Sequence, residues 1–208
     1  KDHEIDTNAS IAAAKIIRDV SRVGENGANC FRIGASSNPS PHTPFFPFSY
    51  HEGETCFSIA LETNQIAIEV LEDLKLKNIS NFEEEFSLRF KSALSKIDNF
   101  AISLTKETGL IFSGIDASFA PFPDDWNSVA RVIETLSGSS VGGPGSVITT
   151  AYLTSLIQSL IKESGINSVG FNGVMYSVME DNILANQSIS GELNLEQLML
   201  LSSVCGCG

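Results

Sequence analysis

A chain of 208 residues, 42% of them hydrophobic and 18% charged, can bury one sizeable core, which suits one domain or a large piece of one. Its formal net charge of −12 and pI near 4.6, with no lysine- and arginine-rich cluster, exclude a partner recognised through basic residues, nucleic acid above all. The apolar runs are short and interrupted and residues 1–20 lack a signal pattern, so no membrane partner is expected and a cytoplasmic location is.

In chain order, "SIAAAKIIRDVSRV" has near-helical apolar spacing and predicts a first helix over 10–23, stopped by "GENG". "CFRIGASS" reads as a short strand over 30–37, followed by a proline-rich loop and a second strand, "CFSIALE", over 56–62. Two helices follow, over 65–76 and 80–108; Ser80 with Glu83 forms a capping-box pattern at the start of the second, and Gly109 is its stop. "LIFSGIDASFAP" is a nearly continuous apolar run, expected as a strand buried on both faces and interrupted by Asp116.

"NSVARVIETL" is a helix ending at Gly138. A glycine-rich loop leads into a long apolar helix stopped by Gly165, and "INSVGFNGVMYSV" reads as a further strand over 166–178. Closing helices over 180–185 and 194–204 complete the pattern, with Asn194 as cap of the last. Strands alternating with helices predict an α/β fold with a mainly parallel sheet or barrel. The start at Lys1 and the small-residue end "SSVCGCG" are read as those of a fragment, a single segment over 1–208.

Chemistry-bearing residues gather at three places. His51, Glu52 and Glu54 stand before the strand at 56–62; because they precede it, they can lie on the sheet edge opposite to the others. Asp116 is a carboxylate near the end of an apolar strand, so it must be paired, hydrogen-bonded or metal-bound. Glu180 and Asp181 open a helix, where its positive end alone could explain them.

His51, Asp116, Glu180 and Asp181 have ligand types suited to Mg²⁺, Mn²⁺ or Zn²⁺, although no spacing motif such as HExxH joins them. "GSSVGGPGS" points the amides of Gly142, Gly143, Gly145 and Ser146 at a helix start, an anion-binding pattern that serves equally as a tight turn. Cys205 and Cys207 in "CGCG" have no basic neighbour to activate them, and close packing of small residues explains them as well. No CxxC pair or zinc spacing appears among the four cysteines, and His3 and His42 are read as solvated loop residues.

With these residues laid out, the chain resembles the domain of unknown function 711 family. The match runs through "SIAAAKIIRDVSRVGENGANCFRIGASSN", "PFFPFSYHEGE", "GIDASFAPFPDDWNSVARVIE", "GGPGSVITTAYL", "YSVMEDNIL" and "LNLEQLMLLSSVCGCG". The resemblance implies a pyruvate formate-lyase-like β/α barrel, incomplete in this chain, with an acidic central cavity. It also implies that Asn38, His51, Glu54, Asp116, Glu180, Asp181 and Cys205 occupy the family's polar positions.

The function expected is that of a divalent-metal-dependent hydrolase, phosphatase-like, acting on a small anionic substrate. In it Asp116, Glu180 and Asp181 hold Mn, Mg or Zn, His51 and Glu54 serve catalysis, and the glycine loop holds the anion. No radical-glycine motif accompanies the barrel resemblance, and fold alone does not transfer radical chemistry. The alternatives are a non-catalytic metabolite- or metal-binding regulatory protein and a structural half-barrel completed by another chain. Assembly as a homo-oligomer, or with the rest of the barrel, is expected.

Overall fold

The computed structural model describes residues 6–24, 29, 32–35, 41–45, 48–123 and 125–207. Helix α1 (Thr7–Val20) is capped by Asp6, whose carboxylate accepts from the Ala9 amide, and it buries no residue. A short hairpin, β1 (Pro44–Phe45) and β2 (Phe48–Ser49), precedes β3 (Cys56–Ala60). Then come α2 (Asn64–Leu74), a 3₁₀ turn (Leu76–Asn81), α3 (Phe82–Thr108) and β4 (Ile111–Asp116). A second 3₁₀ turn (Asp125–Asn127) leads into α4 (Val129–Ser137), α5 (Ser146–Ser164), α6 (Asn182–Ser190) and α7 (Leu195–Ser202).

The core lies where α2, α3, α4 and α5 close over β4. On α3 the apolar repeat brings Phe82, Phe86 and Phe90 onto one face, with successive ring centroids 5.4 and 5.1 Å apart. Phe86 meets Phe119 edge to face at 5.8 Å, so the helix is fixed against the segment that continues β4. β3 and β4 pair in parallel, Cys56 opposite Ile111 and Ala60 opposite Asp116, as expected for an α/β connection through helices.

The register slips between Phe57 and Ser58, leaving Ser113 as the extra residue. Next to it Gly114 has φ +139°, and a Cβ there would sit 2.8 Å from the Asn167 carbonyl oxygen, so only glycine admits the neighbouring chain. Helix ends follow the glycines: Gly109, Gly138 and Gly165 all adopt the left-handed conformation that terminates α3, α4 and α5. Asn194 and Gln197 complete a capping box on α7.

Several expectations are corrected. The segment 166–178 is not a strand; it meets the sheet only through two parallel bridges, Ile115 with Ser168 and Phe119 with Val174. Left-handed turns at Gly170 and Asn172 break it, the latter at φ +50°. The strand expected over 110–121 ends at Asp116, and only its last three residues are buried. Ser80 does not cap α3, because the 3₁₀ turn places Asn81 at the cap position without a side-chain bond. Residues 32–35 form no strand, and the rest of the strand expected over 30–37 lies outside the described residues. Among the described residues the sheet is two-stranded and mostly helix surrounds it; no barrel is present. No described helix is long and apolar enough to cross a membrane.

Candidate functional site

At the carboxyl edge of β3 and β4 lies a cavity of about 390 Å³, whose wall includes Glu62, Asp116, Ser118, Tyr176, Glu180 and Cys205. Chain continuing from β3 builds one wall: the Leu61 amide donates to the Asp116 carbonyl, and Thr63 Oγ1 donates to the Ala117 carbonyl at 2.8 Å. This is the sheet edge at which open α/β proteins hold their ligands, and the volume lies within the range of small-molecule sites.

Asp116 is 2% exposed, and its carboxylate is an acceptor for four donors. Oδ1 accepts from Ser118 N at 3.0 Å, Ser118 Oγ at 2.6 Å and Asn172 N at 3.2 Å; Oδ2 accepts from Phe171 N at 2.8 Å. Gly170 makes this approach possible, since a Cβ there would lie 2.0 Å from Asp116 Oδ2. The hydrogen bonds account for the buried charge without a cation.

Asp181 is 1% exposed and caps α6, accepting from the Ile183 and Leu184 amides and also from Ser128 Oγ and Ala130 N of the neighbouring α4. It therefore joins two helix starts and does not line the cavity, which corresponds to the cap explanation noted for it.

Glu62 and Glu180 differ from these two. Each faces the cavity, and partial burial raises the pKa of each; Glu62 raises Glu180 further by its charge, while a Ser177 hydrogen bond opposes the rise. Glu62 Oε2 accepts from Asn127 Nδ2 at 2.9 Å. Asn127, itself buried, is held by Asn64 Nδ2 through both its carbonyl oxygen and Oδ1. Asn127, from the turn before α4, thus orients the Glu62 carboxylate just past the end of β3.

Tyr176 donates to Thr150 Oγ1 at 2.5 Å, because the Thr150 hydroxyl is committed to the Ser146 carbonyl; burial pushes the phenol pKa far up, so it stays neutral. Cys207 also lines the cavity, and its hydrogen bond to Cys205, then burial, push its thiol pKa far up. Neither supplies a ready nucleophile at neutral pH.

Of the predicted residues, Asp116, Glu180 and Cys205 meet in this cavity; His51, Glu54, Asp181 and the glycine loop do not line it. In the loop, Gly142 N donates to Ser146 Oγ, Gly143 N to the Ser140 carbonyl and Ser146 N to the Gly143 carbonyl, while Gly145 takes φ +92° to start α5. Those three amides are spent on the turn itself. Asn38 lies outside the described residues.

His51 and Glu54 precede β3 and stand at its amino end. There His51 joins His42, read from sequence as a solvated loop residue, and Cys56: the ligand atoms of the three lie within 4.8 Å of one another, a possible metal-binding group. Sequence reading missed Glu62, Tyr176 and the His42 contact. Glu62 was accessible to the rule that selected Asp116, since it ends the strand read over 56–62.

The fold and this edge define a mixed α/β protein with a carboxylate-lined cavity. The chain belongs to the family described as Uncharacterised ACR (DUF711), whose model matches residues 1–208. It is similar to the UPF0210 protein of Clostridium acetobutylicum, 29% identical over 213 residues, a match covering 98% of this chain and 46% of that protein. The UPF0210 protein of Lactiplantibacillus plantarum is 26% identical over 203 residues, covering 93% and 44%. That of Pyrobaculum arsenaticum is 27% identical over 184 residues, covering 85% and 40%. The chain thus spans less than half the length of these curated relatives.

Proposed function

We propose that this chain carries the substrate cavity of a divalent-metal-dependent hydrolase, phosphatase-like, acting on a small anionic molecule. The observation that carries the reading is the pair Glu62 and Glu180 facing one cavity at the carboxyl edge of parallel strands. Two carboxylates there repel both each other and an anionic substrate. Glu62 and Glu180 would hold a divalent cation, Mg, Mn or Zn, which would reverse the local sign and supply a Lewis acid for the substrate oxygen and for water. Glu62 and Glu180 take the ligand role that sequence reading gave to Asp116, Glu180 and Asp181, since Asp116 and Asp181 already serve several donors each. The rest of a longer protein, or a second copy, would complete the cavity wall. A reducing, cytoplasmic setting fits the absence of a disulfide among the described cysteines.

The test is hydrolysis of simple phosphomonoesters by the metal-loaded protein, with and without chelator, and with Glu62→Gln and Glu180→Gln. Chelation is expected to abolish turnover and each substitution to lower it by about 100-fold with the fold retained. Turnover that survives chelation and both substitutions overturns the reading. The acid lining also favours a second reading, a non-catalytic binder of a cationic metabolite; binding of polyamines or other organic cations, weakened by the same substitutions and without turnover, would select it.

A further inference from the structure

We propose that His42, His51 and Cys56 form a binding site for a borderline divalent cation of the zinc class, at the amino end of β3. The site stands on its own donors and does not depend on the carboxylate cavity being catalytic.

The donor set comes first. Two imidazoles and one thiol suit zinc and its borderline neighbours and discriminate against magnesium and calcium, which prefer oxygen. Cys56 Sγ lies 2.9 Å from His42 Nδ1 and 3.5 Å from His51 Nδ1. Bond lengths of about 2.3 Å to sulfur and 2.0–2.1 Å to nitrogen in a tetrahedral site put ligand atoms roughly 3.3–3.6 Å apart, so modest adjustment admits the ion.

The ligands are also held in advance. Cys56 is the first residue of β3, fixed opposite Ile111. His42 has φ +66°, a conformation rare outside glycine that the surroundings must impose. They do so from both sides: the His42 amide donates to the Tyr50 carbonyl at 2.7 Å, and its carbonyl accepts from Ser58 Oγ at 2.9 Å. The backbone is thus turned so that the imidazole meets the strand's first thiol. His51 follows Tyr50, whose amide donates to the Thr43 carbonyl and closes the same hairpin. Its ring meets that of His42 at 5.5 Å between centroids, edge to face.

On loading, the Cys56 thiol gives its proton to solvent and the thiolate and two neutral imidazoles each donate a lone pair. One coordination position is left for water or another ligand, and the exposure of His51 opens it to solvent. Three protein ligands with an open position is the arrangement of a catalytic rather than a closed structural zinc site.

The experiment uses the whole chain, reduced and stripped of metal, titrated with Zn²⁺ and with Co²⁺ as a spectroscopic stand-in. One equivalent of Co²⁺ is expected to give thiolate charge-transfer absorption and the intense visible bands of four-coordination, a signature the carboxylate cavity has no thiolate ligand to produce. Cys56→Ser should abolish the charge-transfer band, and His42→Asn should weaken Zn²⁺ at least tenfold. His51 is exposed, so His51→Asn should keep the fold by circular dichroism and still weaken binding at least tenfold. The thiolate band itself should persist in the double variant Cys205→Ser, Cys207→Ser. No thiolate band with Co²⁺, unchanged affinity in His51→Asn, or a band lost only in the Cys205, Cys207 variant would each overturn the proposal.

Discussion

At the scale of single residues, burial of a carboxylate has two physical explanations, a cation or a set of donors, and they make opposite predictions at Asp116. Two of its four donors, the Phe171 and Asn172 amides, hold the β4 end against the 171–172 turn, and Gly170 leaves room for them. An asparagine there would turn an amide N–H toward a backbone donor and give up the charge that strengthens the remaining bonds. Asp116→Asn is expected to cost about 2–4 kcal/mol in urea unfolding, with bound metal unchanged. Ser118→Ala, which removes one hydroxyl donor, should cost about 1 kcal/mol. A D116N protein of parental stability that loses its metal would restore Asp116 as a ligand. Glu62 is held differently: its Asn127 partner is 65 positions away in sequence, and one hydrogen bond aims the carboxylate without saturating it.

At the scale of elements, the helix stops were legible because a left-handed glycine is a local requirement: Gly109, Gly138 and Gly165 end their helices where the sequence placed them. The segment over 166–178 was misread for the opposite reason. Its apolar alternation is real, but capture of its amides by Asp116 is a long-range event that no local pattern carries. His42 was lost the same way, its meeting with Cys56 depending on hairpin closure. Asp116 and Glu180 were legible as candidate site residues because acids at a strand end and a helix start are visible in sequence, whereas Cys205 entered only through the family resemblance. The α3–α5 contact gives a testable pH dependence. Tyr152 donates to Glu83 Oε2 at 3.0 Å, and burial, with the Glu83 bond and charge, pushes its pKa from 10.0 up to about 12. The unfolded chain therefore releases this proton first, so the stabilisation is complete below pH 10 and is lost as pH rises toward 12. Urea melts at pH 9 and pH 11 are expected to show a smaller loss in Tyr152→Phe than in the parent, the residual slope belonging to Tyr176, Cys207 and Tyr50, whose pKa values are also raised. Equal losses in both proteins would place the tyrosine's titration outside the folding equilibrium.

At the scale of the whole molecule, burial is distributed unevenly, and the distribution says which parts depend on one another. The phenylalanine face of α3, the α4 and α5 faces and the end of β4 share one core, so they should unfold together. Helix α1 is different: it buries nothing, and Ile11, Ile16 and Ile17 stand exposed. A helix of 14 residues without tertiary packing is marginal in water, since nucleation is costly and propagation barely repays it. Its Asp6 cap contributes only about 1 kcal/mol, too little to hold it against fraying. In this chain α1 is therefore expected to exchange its amide hydrogens nearly as fast as an unfolded peptide, while α3 and α5 exchange only by opening of the core. Removing residues 1–23 should accordingly shift Tm by less than about 2 °C, because α1 contributes almost no buried apolar area to the folded state. Strong protection of α1, or a large fall in Tm on deletion, would mean that its apolar residues are covered in solution by a second copy of the chain. The same measurement on a full-length relative separates the two origins of order: protection there but not here would locate the cover in the remaining half of the longer protein.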